Sequence, residues 1–202
     1  MQVALETARL ILRRFTARDE DNLVALDSDP DVMRYLTGGS PTPRAAIHHD
    51  ILPAFLRSYE QFTGFGVWAV VEKTSGDFIG WMSLRPPEVG GPANVALGYR
   101  LRRSVWSKGY ATEGAQALIR KGFTELGVQR VFATTYQDNV ASLRVMEKLG
   151  MTLARTWRMT HEELLAADSF SGVALDLWDG DDVEYALLKD NWARQGGAMS
   201  RE

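Results

Sequence analysis

GYRLRRSVWSKGYATEG, residues 98–114, joins the end of a predicted strand to the start of a predicted helix through a turn at Gly109. The strand begins near Asn94 and ends with Tyr99, Arg100 and Leu101. The helix is predicted from small or apolar residues at the spacing of one buried helical face: Ala111, Ala115, Leu118, Ile119, Gly122, Phe123 and Leu126. A glycine at position 127 then provides its C-terminal stop.

The turn has the properties of an anion-binding site. Gly109 can adopt a positive φ, so that successive backbone N–H groups point at one spot at the positive end of the helix dipole. Positive charge beside the turn comes from Arg100, Arg102, Arg103 and Lys108. A hydrogen bond from one of these cationic side chains to an anionic oxygen contributes about 1.5–3 kcal/mol. A pyrophosphate is an anion that this turn could bind. The alternative is an ordinary strand-to-helix turn with a solvated basic rim, and spacing alone does not separate the two.

Three segments carry a family resemblance. Residues 106–113, WSKGYATE, resemble the acyl-CoA motif Q/R-x-x-G-x-G/A of the GNAT superfamily, and residues 7–13, TARLILR, resemble its first strand. Residues 139–151, NVASLRVMEKLGM, are similar to the N-x-x-S helix and K-L-G-F ending of the branch that contains the ribosomal-protein-alanine N-acetyltransferases. Three positions depart from the pattern, namely Trp106, Ser107 and Met151. The first two leave a backbone cradle intact, because its donors are amides.

The resemblance implies the GNAT fold, a mixed α/β architecture. We expect a central, mostly antiparallel twisted sheet of about seven strands, splayed between strands 4 and 5 and flanked by about four helices. Local patterns add a hairpin over 65–84 and a strand over 131–136 that is buried on both faces. One domain is predicted over residues 1–195, followed by a flexible tail over 196–202.

The resemblance also assigns the residues that bind the acyl-CoA cosubstrate: Leu101, Arg103, Trp106, Ser107, Lys108, Gly109, Tyr110, Ala111, Thr112, Asn139 and Ser142. The backbone N–H of Leu101 is expected to hold the acyl carbonyl, and Asn139 to bond the pantetheine amides. Ser142 is expected to return a proton to the CoA sulfur. From the residues alone, Ser142 also fits a first-turn serine that bonds to backbone, and Asn139 fits a plain N-cap.

The implied reaction is direct attack of an amine on the thioester of acetyl-CoA, without a covalent enzyme intermediate and without a metal. Glu163 and Glu184 are candidates for the general base because they lie in the last third of the chain, and an ordered water chain is the alternative. A free α-amine has a pKa near 7.7–8.0 and a lysine near 10.4, a difference of about 3.5 kcal/mol in deprotonation. An enzyme without a dedicated base is therefore better matched to an α-amine, whether of a protein N-terminus, a peptide or a small molecule.

Composition limits the other classes. The chain has 202 residues, of which 45% are hydrophobic, and this favours one globular domain. A net charge of −3 argues against nucleic-acid and membrane-surface partners, although the basic cluster near Lys108 is a local exception. Without cysteines, a signal peptide or a long apolar span, the expected location is the cytoplasm. His48 and His49 point about 100° apart on a helix and do not predict a metal site.

Two questions of function stay open at this point. A catalytically silent acyl-CoA-binding regulatory module would need the same cradle, and the sequence does not fix whether the acyl group is acetyl or larger. A homodimer is expected from the family and from the long segment over residues 160–181.

Overall fold

The computed structural model describes residues 2–61, 63–87, 91–158 and 180–199, and the structural statements below refer to these residues. They form one eight-stranded sheet in the order β1-β2-β3-β4-β5-β6-β8-β7. The strands are β1 (Val3–Glu6), β2 (Leu10–Arg14), β3 (Gly66–Glu72), β4 (Phe78–Arg85), β5 (Asn94–Leu101), β6 (Arg130–Tyr136), β7 (Thr152–Trp157) and β8 (Asp182–Leu188). The helices are α1 (Glu20–Asp27), α2 (Pro30–Thr37), α3 (Arg44–Ala46), α4 (Leu52–Gln61), α5 (Tyr110–Glu125), α6 (Val140–Lys148) and α7 (Lys189–Met199).

The sheet opens between β5 and β6, which are its one parallel pair among the described strands. These strands are in register only where Asn94, Val95 and Ala96 face Arg130, Val131 and Phe132. β5 then continues to Leu101 and β6 to Tyr136 without further pairing to each other in the described chain. The predicted splay is confirmed. It lies between the fifth and sixth strands because β1 precedes the predicted first strand, so the sheet has eight strands rather than about seven.

Each face of the sheet carries its own apolar core. The core beneath α5 and α6, here called the α5 face, includes Leu97, Leu101, Leu118, Phe123 and Met146. The core beneath α1, α2 and α4, here called the α1 face, includes Leu23, Leu26, Ile47, Phe55 and Phe78. Side chains alternate between faces along a strand, so the odd-numbered residues of β5 face α5 and its even-numbered residues face α1.

Local sequence signals explain how the α1 layer is divided. Asp29 caps α2, since its Oδ1 accepts from the N–H of Asp31 at 3.0 Å, and Pro30 occupies the first helical position. Pro53 lies near the start of the next helix. A π-helical turn at Ile47–Ile51 precedes it, and α4 continues to Gln61. Such a turn relieves the clash between a proline ring and the carbonyl four residues earlier.

Two expectations differ from the structure. The strand over 131–136 was predicted to be buried on both faces, but Phe132 is half-buried and Thr134 is exposed. The reason is that the described helices of the α1 face pack on β2 to β4 and leave this part of β6 uncovered. At the other end of the chain, residues 196–199 of the predicted tail continue α7, and residues 200–202 lie outside the described residues.

Candidate active site

The turn between β5 and α5 has the geometry of an anion cradle. Gly109, the N-cap of α5, has a φ of 81°, and Ser107 has a φ of 60°. Within the described residues, no hydrogen bond uses the backbone N–H of Ser107, Lys108 or Gly109. The first-turn amides of a helix also lack partners within the helix. Free N–H donors therefore gather at the positive end of a 16-residue helix.

Arg9, in the bend between β1 and β2, holds this turn in place. Its Nη1 donates to the carbonyl oxygen of Lys108 at 3.0 Å, and its Nε donates to Oε2 of Glu113 at 2.6 Å. Thr7 donates its hydroxyl to the other oxygen of Glu113 at 2.5 Å. Burial tends to raise the pKa of Glu113, but the hydrogen bonds from Thr7 and Arg9 outweigh it and hold this pKa below its usual value. The turn is thus fixed by side chains from nearly a hundred residues away.

Tyr110, Ala111 and Thr112, all predicted to bind the cosubstrate, form the first turn of α5. The Tyr110 side chain is buried, its hydroxyl donates to the Glu72 carboxylate, and the Arg9 guanidinium lies 4.4 Å from its ring centroid. The hydrogen bond to Glu72 raises the pKa of Tyr110. What Tyr110 offers the cradle is therefore its backbone amide.

The cationic side chains near the cradle are less concentrated than the sequence suggested. Arg103 lies at the rim, with Nη1 2.6 Å from Oδ2 of Asp31, and Lys108 is exposed. Arg100 does not belong to the cradle, and this is a correction. Its side chain lies on the α1 face, where Nη1 is 2.6 Å from both carboxylate oxygens of the buried Asp27. Successive side chains of a strand point to opposite faces, so Arg100 points to the α1 face, and a count of nearby charges does not take this into account.

The backbone of Leu101 faces the gap between β5 and β6. The next residue, Arg102, donates its N–H to the carbonyl of Ile79 at 2.8 Å, toward β4. Because the N–H and C=O groups of successive strand residues point to alternate edges, those of Leu101 point away from β4. In agreement, the Leu101 carbonyl accepts from Nε1 of Trp106 at 2.8 Å. The N–H of Leu101 is the donor predicted to hold the acyl carbonyl, and it borders the gap.

Ser142 and Asn139 lie at the opposite side of the gap. Asn139 is the N-cap of α6: its Oδ1 accepts from the N–H of Ser142 at 3.3 Å, and its Nδ2 donates to Oγ1 of Thr135 at 3.0 Å. The Ser142 hydroxyl lies 2.8 Å from the hydroxyl of Tyr99, which comes from β5. A hydrogen bond between Tyr99 and Ser142 thus spans the open end of the gap. The plain N-cap interpretation of Asn139 is realised, and its role toward pantetheine stays a prediction.

Tyr99 is a site residue that the sequence analysis did not single out. Burial raises the pKa of Tyr99 to about 12, so its hydroxyl is neutral at physiological pH. The signal was present, because Tyr99 shares a strand face with Leu101 two positions later. What could not be read was its partner, which lies 43 residues further along the chain.

The structure describes only one of the two predicted bases. Glu163 lies outside the described residues. Glu184 is buried on β8, with Oε1 2.5 Å from Nη2 of Arg130 and Oε2 3.2 Å from Nη2 of Arg155. No hydrogen bond or ion pair in the described chain joins it to Ser142. The role of Glu184 as the base stays a prediction, and both of its carboxylate oxygens are engaged in ion pairs with guanidinium groups.

Residues of the α1 face also reach the mouth of the gap. The Tyr35 hydroxyl, from α2, donates to the carbonyl of Asp138 at 3.0 Å, just before α6. Arg100 and Asp27 form a buried ion pair nearby on the same face, and Thr42 donates to Asp27 at 3.0 Å. The gap is therefore bordered on both faces by groups that are fixed by tertiary contacts.

Two further features concern metals and membranes. His48 and His49 are exposed, and Nδ1 of His48 lies 2.6 Å from the Glu20 carboxylate. Across the described ranges, no three His, Cys, Asp or Glu side chains lie close enough together to hold a metal ion. The same part of the chain contains no helix that is both long and apolar enough to cross a membrane.

Comparison with known proteins identifies the class to which this fold and site belong. The family model of the acetyltransferase (GNAT) domain matches residues 9–152. FsC-acetyl coenzyme A-N(2)-transacetylase of Aspergillus fumigatus is 30% identical across 99% of this chain and 83% of its own length. The uncharacterized N-acetyltransferase YnaD of Bacillus subtilis is 29% identical across 93% of this chain and 98% of its own. The chain belongs to the GNAT acetyltransferase family, whose members use acetyl-CoA.

Solved structures show the same fold. A GNAT-family acetyltransferase from Bacillus anthracis superposes with a TM-score of 0.69 at 24% identity, covering 94% of this chain and 99% of its own. RimL, a ribosomal L7/L12 α-N-protein acetyltransferase in complex with coenzyme A, superposes with a TM-score of 0.72 at 17% identity, covering 94% and 99%. At these identities the likeness concerns the fold.

Proposed function

We propose that this N-acetyltransferase transfers the acetyl group of acetyl-CoA to a primary amine, either the α-amine of a protein N-terminus or a small-molecule amine, by direct attack. The observation that carries the proposal is the 2.8 Å contact between the hydroxyls of Ser142 and Tyr99 at the open end of the β5–β6 gap. The cradle at Gly109 and the N–H of Leu101 lie along the same gap. Together they supply donors for the pyrophosphate, the carbonyl oxygen and the sulfur.

Each donor has one task in the reaction. The amine nitrogen attacks the thioester carbonyl carbon, so that a C–N bond forms and the C–S bond breaks. The N–H of Leu101 stabilises the negative charge that develops on the carbonyl oxygen. When Tyr99 donates to Oγ of Ser142, the proton of Ser142 is free to bond the departing sulfur. Tyr99 is thus a positioning residue, and Ser142 is the proposed acid.

The names of two similar proteins support an amine acceptor of either size. One is an N(2)-transacetylase named for a CoA-dependent reaction, and the other is an α-N-protein acetyltransferase. Their names specify nitrogens in different kinds of molecule, so the acceptor here is proposed only as a primary amine. Preference for an α-amine follows from its lower cost of deprotonation. A homodimer, a cytoplasmic location and the absence of a nucleic-acid partner stay predictions of the sequence.

CoA release tests the proposal directly. The chain contains no cysteine, so a thiol reagent counts released CoA without a background from the protein. We expect release with at least one member of a panel of peptide N-termini, lysine derivatives and small amines. Ser142→Ala should lower kcat about 10²-fold, and Tyr99→Phe about five- to tenfold, because it removes one hydrogen bond of about 1 kcal/mol. Thr124→Ala, a hydroxyl removed at the far end of α5, is the control and should leave kcat unchanged.

The catalytically silent module gives a different result. It predicts calorimetric binding of acetyl-CoA, without CoA release for any amine and without an effect of Ser142→Ala. Robust activity on lysine ε-amines with α-amines ignored would reject the preference for α-amines while leaving acetyl transfer in place.

A further inference from the structure

Asp182 lies one strand away from the open end of the gap, because β6 separates β8 from it. It is the first residue of β8 and is in register with Tyr136, the last residue of β6, and with Trp157, the last residue of β7. The chain that leaves Tyr136 leads directly to Asn139 and α6, and Gln137 donates its N–H to the carbonyl of Asp181 at 2.9 Å. The start of β8 is therefore tied to the segment that carries the proposed acid.

The Asp182 side chain is on the α1 face, opposite α6. On β8, Tyr185 and Leu187 pack in the core beneath α5, so the even-numbered residues face the other way. Glu184 gives an independent check, because it contacts Arg130, whose Nη1 donates to Asn94 at 3.0 Å on the α1 face of β5. Ser142 comes from the α5 face. The two side chains therefore approach the gap from opposite faces.

Asp182 differs from the other carboxylates near the gap because no side chain among the described residues pairs with it. Those others are paired, Asp27 with Arg100, Asp31 with Arg103, Asp181 with Arg158, and Glu184 with Arg130 and Arg155. Asp182 is half-buried and makes no side-chain hydrogen bond or ion pair within the described ranges. A half-buried carboxylate without a partner is costly to keep charged, and a cation placed against it removes that cost.

We propose that Asp182 binds the acceptor amine as its ammonium ion on the α1 face of the gap and then takes a proton from it as the general base. This inference deepens the proposed acetyl transfer and rests on it. Attack from the α1 face places the nucleophile opposite Ser142. Asp182 then takes a proton from the amine nitrogen, and Ser142 gives a proton to the sulfur. Asp182 would thereby replace Glu163 and Glu184 in this role.

The protons balance as follows. The ammonium ion loses two protons when it becomes an amide. One passes to Asp182 and from there to solvent, and it frees the lone pair that attacks the carbonyl carbon. The other restores the proton that Ser142 gives to the sulfur as the C–S bond breaks. The products are the N-acetyl amide, CoA as a thiol, and one proton.

The surroundings of Asp182 suit a base. Burial raises the pKa of Asp182, and the negative charge of Asp181 raises it further. The groups that face it are the Tyr136 hydroxyl from β6, the Asp181–Arg158 ion pair, and Glu184 with its arginines further along β8. Burial, with the charge of Asp182, likewise raises the pKa of Tyr136, so this phenol is neutral. A carboxylate with a raised pKa accepts a proton more readily than an ordinary carboxylate.

The test compares Asp182→Asn, Asp182→Glu and Asp181→Asn with the wild type, using acetyl-CoA and the most active amine of the panel. For Asp182→Asn we expect kcat/KM for the amine to fall by about 10² or more, with the acidic limb of its pH profile lost. The Kd of acetyl-CoA, measured by calorimetry, should not change. Asp182→Glu should restore part of the rate. Asp181→Asn should move the acidic limb to lower pH, because it removes a charge that raises the pKa of Asp182.

A structural role would give other results. The fold disfavours the charged form of Asp182, so Asp182→Asn should leave Tm equal or higher. A lower Tm together with weaker acetyl-CoA binding would overturn the proposal, and so would an unchanged kcat/KM with an unchanged acidic limb. Failure of acetyl transfer itself has a separate signature, because the wild type would then release no CoA with any amine.

Discussion

The two faces of the β5–β6 gap carry different groups. The α5 face has backbone amides and the hydroxyls of Tyr99 and Ser142, whereas the α1 face has acidic and basic side chains together with the hydroxyls of Tyr35 and Tyr136. The amides belong to residues near Gly109 and Leu101, which are neighbours in sequence. The ionised groups come from α1, β5, β6, β7 and β8. This difference teaches that the proposed acyl-CoA side uses backbone features that any chain can supply, while the proposed acceptor side depends on particular side chains and so is suited to set specificity.

The largest expected effect is a loss of stability when the buried ion pair of the α1 face is broken. Asp27→Ala leaves Arg100 buried without its counter-ion, and we expect the free energy of unfolding to fall by about 3–5 kcal/mol. Denaturant titration measures it. Asp21→Ala is the control, since Asp21 pairs with Arg44 at an exposed position, and should change stability by less than about 1 kcal/mol. Equal losses for the two variants would contradict the buried pair, whereas recovery in the double variant Asp27→Leu with Arg100→Met would support it.

An intermediate effect tests the backbone side. Gly109→Ala places a Cβ at a φ of 81° but within 4 Å of only Nη2 of Arg9 among the described atoms, so the cost is conformational, about 1–2 kcal/mol. Gly127→Ala is a matched control, with a φ of 73° and no described atom within 4 Å. Both variants should lose similar stability by thermal unfolding, but only Gly109→Ala should weaken calorimetric binding of acetyl-CoA. Weaker acetyl-CoA binding in both variants would show that the loss follows from reduced stability and not from the cradle.

The smallest effect concerns the rim, where the two sides meet. Arg103→Ala breaks an exposed ion pair with Asp31 and should cost at most about 1 kcal/mol of stability. If Arg103 also contacts the cosubstrate, the Kd of acetyl-CoA should rise several-fold at low salt and this difference should shrink at high salt. Arg44→Ala, a similarly exposed and paired arginine, should not change the Kd. An unchanged Kd of acetyl-CoA in Arg103→Ala would show that Arg103 does not contact the cosubstrate and only pairs with Asp31.

Local sequence predicted the donor side well. The strand ending at Leu101, the turn at Gly109 and the helix from Tyr110 were all expected, because glycine, strand alternation and helical spacing act within a few residues. Asn139 as the cap of α6 follows from the same short-range preferences. The brace from Arg9 was not foreseen, since its partner Glu113 is 104 residues away.

The charged contacts of the α1 face were not foreseen from the sequence, and for one reason. Arg100 was counted with the cradle because its neighbours are basic, yet strand alternation turns it to the other face. Glu184 was selected for its position late in the chain, but two arginines from β6 and β7 surround it. Asp182 carried no sequence signal, because it is distinguished by having no partner in the described part of the chain, and pairing depends on which strands lie side by side.

The sequence by itself determined the family, the helices and strands around the cradle, and the backbone donors of Gly109 and Leu101. These follow from interactions between residues close together in the chain. Only the tertiary structure decided that Tyr99 meets Ser142 across the gap, that Arg100 pairs with Asp27, and that Asp182 has no counter-ion among the described residues. Such contacts depend on the order of the strands and on the face to which each side chain points. Both are set when distant segments pack into one sheet, so preferences that act within a few residues do not predict them.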